Sequence, residues 1–81
     1  MKIVWDEPKR QTNLANRGLD FADLDDEFFM GATVLPAKKE RFMAIGEFRG
    51  KIILAVIFKP LGSEAISVIS MRRASRKERN L

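Results

Sequence analysis

The sequence predicts an α+β fold: an N-terminal strand and two helices packed on an antiparallel β-sheet meander, closed by a short C-terminal helix. Three observations predict it. Before residue 32 there are two helix-compatible segments, each with capping residues at its ends. From Thr33 the pattern changes to short apolar runs separated by turn residues, which reads as consecutive strands. At 81 residues, 46% hydrophobic and 32% charged, the chain suits one small globular domain over residues 1–81. A core that small leaves a margin of roughly 3–5 kcal/mol, so a stabilising partner would be unsurprising.

Lys2 to Trp5 is short, apolar and β-branched at its centre, and reads as a first strand. Asp6 then offers an N-cap, and Pro8 falls in a first turn where its missing N–H costs nothing. The helix from Glu7 to Arg17 is mostly polar, and Gly18 is placed to end it in the left-handed region. Asp20 is a second N-cap. Phe21, Leu24 and Phe28 follow at i, i+3 and i+7, one apolar stripe of a second helix that Gly31 ends. Thr33 to Leu35 is an edge strand, because Pro36 interrupts it. Arg41 to Phe48 is another strand, closed by the turn Arg49-Gly50. Ile52 to Phe58 is continuously apolar, as a two-sided buried strand should be. Pro60-Leu61-Gly62-Ser63 reads as a turn, and Ala65 to Met71 as the last strand. Ser75-x-x-Glu78 matches a capping box for a final helix of at most about two turns.

Composition removes whole classes of chemistry. With no Cys there are no disulfides and no thiol nucleophile, and with no His or Tyr the usual general base is missing. The Ser–His–Asp and Cys–His arrangements are excluded by inventory. No metal-binding constellation and no nucleotide-cofactor motif is present, so no cofactor is expected. The longest apolar run, Ile52 to Phe58, is far shorter than the about 20 residues of a spanning helix, and the start lacks a signal-peptide pattern. A cytoplasmic protein without membrane contact is expected.

Charge is divided between the halves. Residues 1–40 carry six basic and eight acidic side chains, and residues 41–81 carry nine and three. Arg72, Arg73, Arg76, Lys77 and Arg79 crowd the end, a density that attracts polyanions such as RNA, though a solubilising tail has the same composition. Arg72, Arg73 and Arg76 surround a helix start, where cations oppose the dipole and repel one another. A bound anion would relieve both costs. Lys9, Asn13 and Arg17 recur at i, i+4 and i+8 on one face of the first helix, either a binding surface or a solvated one. Trp5 could stack on a base, but a strand-end core anchor is the commoner role. Phe21, Leu24 and Phe28 are expected in the core.

Several of these residues fall into a known pattern. Trp5-Asp6-x-x-Lys9-x-x-x-Asn13 is followed by Gly18-Leu19-x-Phe21, then Glu40-Arg41-Phe42-x-x-Ile45-Gly46, and finally Ile69-Ser70-x-Arg72-Arg73-Ala74-Ser75-Arg76-Lys77-Glu78-Arg79. Over essentially its whole length the chain resembles the BrnT toxins, ribonucleases of type II toxin–antitoxin pairs. The resemblance implies a RelE-like, microbial-ribonuclease-like fold. It implies a metal-independent endoribonuclease that inhibits translation, neutralised by a ribbon-helix-helix (BrnA-like) antitoxin through which alone the protein meets DNA. In such a reaction the ribose 2′-OH attacks the neighbouring phosphorus, a base takes its proton, and cations stabilise the developing charge.

With His and Tyr missing, carboxylates are the base candidates: Glu40 first, beside Arg41 at a strand start, and Glu47 second. Arg41 and Arg72 suit the phosphate clamps, since guanidinium offers paired N–H donors. The expected catalytic set is therefore Glu40, Arg41 and Arg72, with Lys9, Asn13, Arg17, Arg73, Arg76 and Lys77 binding RNA. Three positions depart from the family pattern: Arg17 replaces a His, Phe58 a Tyr and Ser67 an Arg. Each changes a polar group that could act on RNA. They support a second reading, a catalytically degenerate relative that binds RNA or protein, and a small interaction domain with a basic tail is a third.

Overall fold

The computed structural model describes residues 1–81. In chain order the elements are β1 (Lys2–Trp5), α1 (Glu7–Arg17), a 3-10 turn (Phe21–Asp23), α2 (Asp26–Met30), β2 (Thr33–Pro36), β3 (Phe42–Phe48), β4 (Ile52–Leu61), β5 (Ala65–Arg73) and α3 (Arg76–Arg79). The five strands form one sheet in the order β1-β5-β4-β3-β2. The meander from β2 to β5 is antiparallel as expected. β1, however, pairs with β5 in parallel, so the sheet is mixed.

Alternation divides the sheet into two faces. Leu54, Val56 and Phe58 of β4 point inward with Ala44, Ile66, Val68 and Met71, against Phe21, Leu24 and Phe28. The apolar stripe is thus core, as expected, and Trp5 packs against its margin. A register shift between Ile57 and Phe58 sets Val68 opposite Phe58 and Ser70 opposite Ile57, leaving Ile69 as an extra residue. The bulge lets both Val68 and Met71 face inward.

Two sequence expectations need correction. The helix expected from Asp20 to Gly31 is broken, because Leu24 and Asp25 are extended between the 3-10 turn and α2. Asp20 accepts a hydrogen bond from the Ala22 N–H, and Asp25 accepts one from the Phe28 N–H. Each aspartate starts its own short turn and takes donors that a continuous helix would have used. The second correction concerns Pro60 and Leu61, which lie in β4 rather than in a turn and pair with Ile66 and Ala65. β3 begins opposite Phe58, so at Pro60 the strand is at the margin of the sheet and the missing N–H is tolerated. No helix is long and apolar enough to cross a membrane.

Candidate nucleic-acid interface

The sheet face turned away from the core carries Met43, Ile45 and Glu47 of β3, Ile53, Ala55, Ile57 and Lys59 of β4, and Ser67, Ser70 and Arg72 of β5. Ile45 and Ala55 at its centre are buried, although neither belongs to the main core. Arg41 precedes β3, and its carbonyl accepts from the Ala37 N–H. Arg41 is the residue before β3, whose pairing with β4 begins at Phe42–Phe58, and Lys59, the residue of β4 after Phe58, pairs with Ser67. Arg72 pairs with Ala55, which pairs with Ile45. The alternation of β3, carried one residue past its end, assigns Arg41 the face of Met43 and Arg72, with the Arg41 and Arg72 rows about 13 Å apart along the strands. Arg72 Nη2 lies 4.0 Å from Met43 Sδ, and Met43 is the same-face neighbour of Arg41.

The Arg72 guanidinium is anchored rather than free. Its Nη1 and Nη2 donate to Glu78 Oε1 and Oε2 at 2.7 and 2.9 Å, and Nη1 also donates to the Arg73 carbonyl at 3.3 Å. The two side chains are 32% and 16% exposed. Glu78 accepts the Ser75 N–H as well, while Ser75 Oγ accepts from the Glu78 N–H, completing the capping box seen in the sequence. The paired guanidinium and the Ser75 N–H pull the Glu78 carboxyl down to about 2, and the carboxylate raises the Arg72 guanidinium. The anion that the cationic helix start calls for is thus supplied from within, by Glu78.

The other expected residues are dispersed. Glu40 is not at a strand start: it is exposed, in a turn where both it and Lys39 have φ of 61°. Glu47 is exposed at the far end of β3, on the rim of a depression of about 380 Å³ shared with Asp23, Asp25 and Glu27. Arg49 also lines it and pairs with Asp23 at 3.4 Å, so four carboxylates face one guanidinium, a poor balance for phosphate, and no group of three carboxylates is arranged to hold a metal ion.

Asn13 is not available to RNA. It is buried, its Oδ1 accepts from the Met71 N–H, and its Nδ2 donates to the Met71 and Leu19 carbonyls. β1 ends opposite Val68, so the Asn13 amide takes the place of the next peptide of that strand. Lys9 and Arg17 remain exposed on either side of it, in a groove that reaches Ile69 and Ser70 at the edge of the open face. Arg73 is separated from Arg72 by strand alternation and lines another depression with Lys51 and Arg79. Arg76 and Lys77 are exposed on α3.

Sequence reasoning missed Lys59, which carries no motif and reaches the open face only through the register that pairs it with Ser67. It also missed the role of Glu78, although the capping box marked its position. Of the departures from the family pattern, Phe58 is buried and stacks on Phe42 with ring centroids 5.9 Å apart, so a hydroxyl there would point away from the open face. Ser67 does lie on that face.

Residues 5–78 match the family described as ribonuclease toxin, BrnT, of type II toxin-antitoxin system. Among solved structures, the chain is similar to the crystal structure of the Brucella abortus ribonuclease toxin, BrnT. The two are 72% identical with a TM-score of 0.88, over 94% of this chain and 99% of that one. No curated protein matches.

Proposed function

The chain belongs to the BrnT family, ribonuclease toxins of type II toxin–antitoxin systems, and from that premise we propose that it cleaves RNA on the open face of its sheet. As a toxin of this type it has an antitoxin partner. An RNA strand crosses the sheet with one phosphate above Met43, between the Arg41 and Arg72 guanidiniums. The half-buried apolar shelf of Met43 and Ile57 supports a base, and Lys59 and Lys9 hold flanking phosphates. The single observation that carries this reading is the approach of Arg72 to Met43, two residues along the chain from Arg41.

Cleavage proceeds by attack of the ribose 2′-OH on the adjacent phosphorus, with the 5′-oxygen leaving and no metal required. Arginines here stabilise the charge that builds on the phosphorane oxygens. Glu78 is a poor base, because its carboxylate is held near 2 and already accepts three hydrogen bonds. Glu40, exposed next to Arg41, is the base this reading assigns. Loss of cellular RNA would arrest translation. A ribbon-helix-helix antitoxin would neutralise the toxin by covering the open face, and only that partner would touch DNA.

Incubating the purified protein with RNA in the presence of a chelator tests this. The wild type should cleave, and Arg72→Ala should lower kcat by about 100-fold, the scale of losing one transition-state donor. Cleavage by Arg72→Ala at the wild-type rate would overturn the assignment. RNA that is retarded on a gel but left whole by the wild type would support the degenerate, binding-only relative.

A further inference from the structure

We infer that Glu78 is a positioning residue for RNA cleavage: it grips the Arg72 guanidinium end-on, so that the remaining edge of the guanidinium faces the phosphate above Met43. The inference rests on the open-face reading of Arg72. A guanidinium has five N–H donors in a fixed plane. In Arg72 both Nη1 hydrogens and one Nη2 hydrogen are committed, to Glu78 and to the Arg73 carbonyl. What remains is the Nε–H and the second Nη2–H, adjacent and parallel, the spacing that two phosphate oxygens require. Nη2 has only the long contact to Met43 Sδ on this side, so the open edge lies beside Met43, two residues along the chain from Arg41. A phosphate taken there leaves the Glu78 contacts undisturbed.

The holder is itself held. Glu78 Oε1 serves Arg72 Nη1 and the Ser75 N–H together, so the start of α3 fixes the carboxylate and the carboxylate fixes the arginine. Without the carboxylate, Arg72 would be a surface arginine with rotamer freedom on the open face, still cationic but no longer aimed. Pre-organisation of that kind acts on the rate of the chemical step more than on the affinity for RNA, since removing a negative charge near the strand does not weaken binding.

The experiment compares Glu78→Gln, Ser75→Ala and Arg72→Ala by kcat and KM on one RNA substrate, with thermal melts of each. Gln keeps an acceptor for the Ser75 N–H but turns an NH2 toward Nη2, which breaks the two-point grip. The expected result for Glu78→Gln is a loss of about 10- to 100-fold in kcat with KM unchanged or lower. Ser75→Ala removes only the hydroxyl that accepts from the Glu78 N–H and keeps the backbone N–H that holds the Glu78 carboxylate, so it should cleave within about threefold of wild type. Cleavage by Glu78→Gln as fast as wild type or faster overturns the inference, since Glu78 would then merely compete with phosphate. A parallel loss in Glu78→Gln and Ser75→Ala also overturns it, because the effect would belong to α3 as a whole. Arg72→Ala separates the two levels: if it cleaves normally the open-face reading itself fails, whereas an inactive Arg72→Ala beside an unaffected Glu78→Gln sinks only the role of Glu78.

Discussion

Asn13 illustrates how one polar residue on a polar helix can belong to the core. Its spacing with Lys9 and Arg17 was legible, but no sequence rule says which of three residues on one helical face meets a strand edge. Only the early end of β1 makes the Met71 N–H and carbonyl depend on it. Truncation to Ala strands both groups, so Asn13→Ala should destabilise by about 3 kcal/mol in urea unfolding. Arg17→Ala, at an exposed position, should stay within about 0.5 kcal/mol. Glu78 makes a pH prediction with a definite sign. Its carboxyl is at about 2 in the folded state against 4.5 for the free group, so between those values the unfolded chain binds the extra proton. The pair therefore stabilises fully above about pH 4.5 and is lost as pH falls toward 2. Thermal melts of Glu78→Gln should lie below wild type at pH 7 and converge with it at pH 2. Parallel curves would show that the pair adds nothing.

Among the elements, those defined by a local chemical signal were legible and those defined by competition were not. The Gly18 end of α1 (φ 67°), the β2 edge, the buried β4 and the α3 capping box all follow from particular residues, and all are present. The break at Leu24 and Asp25 was hidden because Phe21, Leu24 and Phe28 keep a helical spacing while two aspartates end the helix between them. The β5 bulge leaves no signature, since Ile69 looks like any strand residue. Gly46 sits where Phe28 of α2 and Ala32 after it crowd the backbone of β3. A methyl there would meet Ala32 Cβ at 3.2 Å and Phe28 Cε1 at 3.3 Å. Neither the Ala32 backbone nor a core ring yields easily, so Gly46→Ala should cost about 1–3 kcal/mol, measured by chemical denaturation. A neutral substitution would mean that α2 can move off β3.

Across the whole molecule, the uneven charge of the sequence becomes a spatial division. Asp23, Asp25 and Glu27 gather with Glu47 and Arg49 around one depression, while Lys59 and Arg72 lie on the open face, with Lys9 and Arg17 at its edge. α+β architecture, family and cationic character were readable from composition, turns and motifs. Which arginines meet was not, because that depends on strand register and on the parallel return of β1, both of them long-range pairings. That RNA lies on the sheet face turned away from the main core is the assertion on which the rest depends. Its most direct test is an NMR titration with an uncleavable 2′-O-methyl oligonucleotide, reading backbone amides and arginine Nε–H signals. RNA bound on the open face should shift the signals of Met43, Ile57, Lys59, Ser70 and the Arg72 Nε–H, and salt should reduce those shifts. Shifts confined to Lys51, Arg73 and Arg79, with the open face silent, would contradict it.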